Sequence, residues 1–185
     1  MKINLEQIYK ELQAWREERG ITAESQRQGY IRNVLEELGE LAVGLRDYDS
    51  WSKCDLRFCQ IHKEMAERVI VDAICDISVL TINAGADIRD EYKPLSIDTT
   101  NTFSDLNCLL LYTSTFDFKK ILLNCAGVCE QYGFNFEIAM RETIKEISSR
   151  TGAYDENAKK WVKDESDEAK AKWYKANYEL ARIKQ

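Results

Sequence analysis

The chain has 185 residues, 26 basic against 32 acidic side chains, a net charge of −6, one proline and eight glycines. That acidic balance argues against general nucleic-acid binding. No run approaches the ~20 apolar residues of a membrane span, and a lone histidine, His62, leaves Ser-His-Asp, Cys-His and His-based metal hydrolysis without their central group.

Few breakers and abundant Leu, Ile, Ala, Glu and Lys favour long helices. The length suits one domain with a real core, spanning 1–185. The expected class is all-α: a four-helix-bundle core with additional helices and a C-terminal helical tail. The first predicted helix covers 5–19, where Leu5, Ile8, Tyr9, Leu12 and Trp15 form a stripe and Gly20 is a stop. The second covers 25–46 with Ile31, Val34, Leu38, Leu41, Ala42 and Leu45 on its apolar face. A loop is expected over 47–55. The third helix, 59–86, is the most hydrophobic, and Gly85 and Asp87 mark its end. These helices make up a core segment, 5–87.

An additional segment, 88–134, follows. Residues 90–102 read as a loop around Pro94, with an N-cap in the Thr99-Thr100-Asn101-Thr102 run. Helices are expected over 103–112 and 116–131, with Gly133 as punctuation. The last segment, 135–185, supplies a further bundle helix through 147, capped by Asn135. An irregular stretch over 148–160 comes next. The final predicted helix, 167–183, has Ala169, Trp173, Tyr174, Asn177 and Leu180 on one face. The N-terminus lacks a signal-peptide core, so a cytoplasmic protein is expected. The six cysteines fit no zinc spacing and are read as reduced, mostly core-filling thiols. For Cys125 and Cys129, one turn apart, that reading outweighs a shared metal.

Two acidic clusters carry the functional signal. Glu36, Glu37 and Glu40 stand on the second helix, and Asp72 and Asp76 on the third. Residues three or four apart share a helix face, so Glu37 projects with Glu40 and Asp72 with Asp76. A Glu-rich run alone is usually a solvated face. Asp72 and Asp76 sit in a helix that is apolar nearly all round, where a bare carboxylate is costly. Few basic partners are at hand in that helix. A hard divalent cation, Mg²⁺ or Mn²⁺, answers the need with oxygen ligands alone.

The run Glu36-Glu37-Leu38-Gly39-Glu40 resembles the EExxE motif of the MazG-like all-α nucleoside triphosphate pyrophosphohydrolases, a superfamily that includes the dimeric dUTPases. Their second motif is ExxD on the next long helix. Asp76 is similar to its Asp, but Ala73 occupies the Glu position and Asp72 lies one residue earlier. The segment after the last bundle helix (146–152) and the tail (170–178) resemble phage-type members. The resemblance covers 25–87 and 135–180 and leaves 88–134 without a motif. It implies Mg²⁺ or Mn²⁺ held by Glu37, Glu40, Asp72 and Asp76, with Glu36 or Glu37 serving as the base. It also implies hydrolysis of a (deoxy)nucleoside triphosphate to the monophosphate and pyrophosphate, and a homodimer or homotetramer. Asn83, two turns beyond Asp76, is either a nucleotide contact or a buried amide bonding within the bundle. Arg150 and Lys163 or Lys172 are candidates for the outer phosphates, while Trp173 either closes over substrate or docks the tail. The Ala73 departure also admits a catalytically inactive helical module that binds nucleotide or a protein. A metal-dependent phosphohydrolase with another product is a third possibility.

Overall fold

A computed structural model describes residues 3–86, 91–92, 103–155, 157 and 160–184. Its helices are α1 (Glu6–Glu18), α2 (Ala23–Trp51), α3 (Arg57–Asn83), α4 (Ser104–Ser114), α5 (Phe118–Gln131), α6 (Phe136–Ser149) and α7 (Asp167–Lys170). Two short antiparallel ribbons complete it: β1 (Ile3–Asn4) with β2 (Glu91–Tyr92), and β3 (Gly152–Asp155) with β4 (Lys160–Lys163). The fold is all-α, and none of its described helices is long and apolar enough to cross a membrane.

α2 and α3 form the most extensive pairing. Gly44 lets them approach closely. A Cβ there would lie 2.9 Å from Ile70 Cγ1 and 3.2 Å from the Ile70 backbone nitrogen. Near the far end, Tyr30 and Thr81 share a hydroxyl hydrogen bond of 3.0 Å. Partners 44 with 70 and 30 with 81 run in opposite senses, so the pair is antiparallel. α3 is the central helix, with α1, α2, α5 and α6 around it. Its buried residues include Ile70, Ile74, Cys75, Ile77 and Ile82. Most of its length is therefore covered within one chain, by helices that include α5 from the segment without a motif.

α2 runs on through most of the expected 47–55 loop, to Trp51. The N-cap expected over 99–102 falls outside the described residues. Asn135 does cap α6, accepting from the Ile138 amide at 3.0 Å. Cys54 and Cys59, expected as free thiols, are joined in a disulfide across the α2–α3 turn. Cys75, Cys125 and Cys129 are buried thiols, as expected for core fillers.

Two expectations for the C-terminal region do not hold. The stretch read as irregular, 148–160, contains β3 and leads into β4, which pairs with it, Gly152 opposite Lys163 and Tyr154 opposite Trp161. The tail is not one helix over 167–183. α7 has only four residues, and a 3₁₀ turn, Tyr178–Ala181, follows an extended stretch. The reason lies on α6, whose side chains take the tail's amides. Ser149 Oγ accepts from the Tyr174 amide at 2.8 Å. Glu146 accepts from Ala176 at 2.8 Å, and Glu142 from Asn177 at 3.1 Å. Side-chain acceptors on a neighbour thus replace the i−4 carbonyls a helix would have used.

Candidate active site

The antiparallel pairing of α2 and α3 brings the two acidic clusters together at mid-helix. Burial, and then the charges of Glu40, Asp72 and Glu36, push Glu37 up to about 7, against the pull of Arg150. Asp76 is pushed up to about 8 by burial, then by Asp72 and Glu37. Burial also raises Asp72, which accepts a 2.6 Å hydrogen bond from the Tyr178 hydroxyl. Ala73 is buried in the core, so the carboxylate of this turn comes from Asp72. Glu36 and Glu40 lie at the exposed edge of the cluster.

Beside these carboxylates opens a cavity of about 180 Å³. Glu37 and Asp76 line one part, and Asn83, Trp15, Trp161 and Arg150 line others. Asn83 is buried, and its Oδ1 has no hydrogen-bond partner. The end of α3 that carries it is held by arginines: Arg16 donates to the Asn83 carbonyl at 3.0 Å and Arg27 to the Ala84 carbonyl at 2.6 Å. Cations on terminal carbonyls complement the negative end of a helix. These bonds engage the main chain only, and the Asn83 side-chain oxygen is left without a donor.

Arg150, at the end of α6, reaches the site. It acts on Glu37, Asp72 and Asp76 through its charge and donates to Glu146 Oε1 at 2.9 Å. Its guanidinium lies 5.9 Å from the Trp173 ring centroid. Trp173 therefore borders the site through Arg150. Lys163 and Lys172 do not line this cavity: Lys163 lies 4.0 Å from Glu165 on the ribbon, and Lys172 is exposed. A separate groove on the other side of the acids brings Lys175 beside Asp72 and Glu146.

Several residues here carried no sequence motif. Glu142 and Glu146 stand one turn apart on α6, as Asp72 and Asp76 do on α3. Tyr178 reaches Asp72 across the fold and meets Thr143 Oγ1 at 2.9 Å. Trp15 and Trp161 come from elements whose pairing no local pattern announces.

The donor chemistry suits a hard divalent cation, since the charge of Asp72 raises the proton affinity of both Glu37 and Asp76, and that of Glu37 raises Asp76 further. As their side chains stand, no three His, Cys, Asp or Glu groups among the described residues are gathered tightly enough to hold an ion. No family model, no curated protein and no solved structure matches the chain.

Proposed function

We propose that the protein is a metal-dependent nucleoside triphosphate pyrophosphohydrolase of the MazG-like kind, releasing a monophosphate and pyrophosphate. One observation carries this reading. Carboxylates from two paired helices share a crowded, partly buried patch that opens on a ring-sized cavity. Such crowding is a liability for a scaffold and an asset for a cation site, where perturbed acids mark function. The EExxE and Asp-bearing helices supply the same residues by resemblance.

Glu37, Glu40, Asp72 and Asp76 would hold Mg²⁺ or Mn²⁺. When bound, the cation neutralises phosphate charge and acts as a Lewis acid. The chain's own groups do the rest. Glu37, which lines the cavity beside Asp76, is placed to accept a proton from water. The water oxygen then bonds to the α-phosphorus, and the bridging oxygen leaves with pyrophosphate. Glu36 is the alternative base. Arg150, held by Glu146, offers a planar fork to phosphate oxygens.

The test is product analysis over the common dNTPs and NTPs with Mg²⁺ or Mn²⁺. At least one should yield monophosphate and pyrophosphate, and EDTA should abolish the reaction. Orthophosphate as the product would indicate a different phosphohydrolase. No turnover with any nucleotide would leave an inactive module.

A further inference from the structure

We propose that Tyr178 is a positioning residue that aims the Asp72 carboxylate, and that the C-terminal tail is thereby a working part of the cation site. The inference rests on the cation reading above and adds a residue that acts through Asp72. Its first support is the bond itself. The Tyr178 hydroxyl donates to Asp72 Oδ1 at 2.6 Å, across 106 residues of sequence. Among the described residues it is the one hydrogen bond that the Asp72 side chain makes. A carboxylate that holds a cation is ionised and can only accept, so the phenol proton is committed to Asp72. The phenol oxygen in turn meets Thr143 Oγ1, a buried hydroxyl on α6, at 2.9 Å.

The second support is how firmly the phenol is held. Tyr178 is buried and opens the 3₁₀ turn. Before it, Ser149, Glu146 and Glu142 of α6 take the amides of Tyr174, Ala176 and Asn177. After it, the Ala181 carbonyl accepts from the Asn135 amide at 2.7 Å, and the Ile183 amide donates to the Gly133 carbonyl at 2.8 Å. Arg182 pairs with Glu67 of α3 at 2.6 Å. The tail is thus pinned on both sides of Tyr178. A donor fixed in this way can hold a metal-binding carboxylate in one orientation.

The third support is what Asp72 faces. Position 72 lies one residue before the buried Ala73, about 100° round the helix. Asp72 lines the groove shared with Arg68, Glu146 and Lys175, whereas Asp76 lines the cavity with Glu37. Its carboxylate therefore stands between the acids of the site and the basic side chains of the groove. The rotation of a free aspartate carboxylate is broad. The Tyr178 bond on Oδ1 fixes it. Without that bond Asp72 is free to turn toward Lys175 and Arg68, at the expense of a cation.

Mn²⁺ binding tests the positioning apart from hydrolysis, because it needs no nucleotide. The full-length protein is titrated with MnCl₂, and free Mn²⁺ is read by EPR. Removing the outer partner of a metal ligand typically costs roughly 10–100-fold in metal affinity or activity, so Tyr178→Phe, which keeps the ring, should weaken Mn²⁺ about tenfold. Tyr174→Phe is the control. It also removes one tail hydroxyl, the one that donates to Glu142, and should leave Mn²⁺ affinity near the wild-type value. A role confined to docking the tail would make the two variants alike. Thr143→Val removes the hydroxyl behind the phenol and should weaken Mn²⁺ in the same direction, by less; it carries the test should Tyr178→Phe fail to melt cooperatively. Unchanged Mn²⁺ affinity in Tyr178→Phe, or in Thr143→Val where it stands in, would overturn the proposal. So would an equal loss in Tyr174→Phe, or no Mn²⁺ binding by the wild-type protein. Weakened Mn²⁺ binding in Tyr178→Phe, in a protein that releases no pyrophosphate from any triphosphate, would instead overturn the hydrolysis reading and leave the positioning standing.

Discussion

Asp76 concentrates the tension of the site. Its carboxyl rises from 3.8 to about 8 through burial, Asp72 and Glu37, and Glu37 rises from 4.5 to about 7. Both shifts are upward, so the folded state binds protons more tightly than the unfolded chain. The stabilisation is complete below the unfolded values and is lost as pH rises through the folded ones. In EDTA the melting temperature should therefore fall between pH 5.5 and 8.5, and saturating Mg²⁺ should restore it at the upper end. A flat or rising profile would count against the crowding. Asp76→Asn keeps the shape and removes the charge. It should lower turnover at least about a hundredfold and raise metal-free stability at pH 8 by ~1 kcal/mol or more, flattening the profile. Near-normal turnover in that variant would remove Asp76 from the site.

The helices were largely legible, because a 3.6-residue stripe and a cap are local signals. Leu5, Ile8 and Leu12 are buried as their spacing required, and Asn135 caps as its position suggested. The tail was not legible. Its apolar spacing suits a helix, yet Glu142, Glu146 and Ser149 capture its amides from another element, a tertiary effect that no window along 167–183 contains. The same holds for the site. Asp76 was visible as a charge out of place and Glu37 through the EExxE run, whereas Trp15 and Trp161 needed the fold to meet. The tail's attachment is testable at Glu142. This buried acid accepts from Lys145, from the Tyr174 hydroxyl and from the Asn177 amide. Those bonds together outweigh burial and hold its carboxyl below the usual range. Glu142→Ala should destabilise the protein by roughly 2 kcal/mol and expose the tail to trypsin at Lys172 or Lys175. A tail that stays uncut would show that Glu146 and Tyr178 hold it unaided.

At the scale of the molecule, α3 is apolar on more sides than one neighbour can cover. α5 and α6 cover much of that surface within the chain. What stays open is the outer face of its first half: Phe58, Ile61, Met65 and Val69 are 62%, 51%, 55% and 40% exposed. They follow one helical stripe, and Leu35 and Val43 of α2 are also exposed. We propose that this face joins copies into a homodimer or homotetramer. Light scattering at micromolar concentration should give at least twice 21.5 kDa, and Ile61→Asp with Met65→Asp should return it to the single-chain value. A wild-type mass of one chain would refute the assembly. The chemistry itself is tested most directly by running the reaction in ¹⁸O-labelled water and reading the products by ³¹P NMR. Attack on the α-phosphorus predicts one ¹⁸O in the monophosphate and unlabelled pyrophosphate. Label in pyrophosphate, orthophosphate as the product, or no turnover of any triphosphate would contradict it.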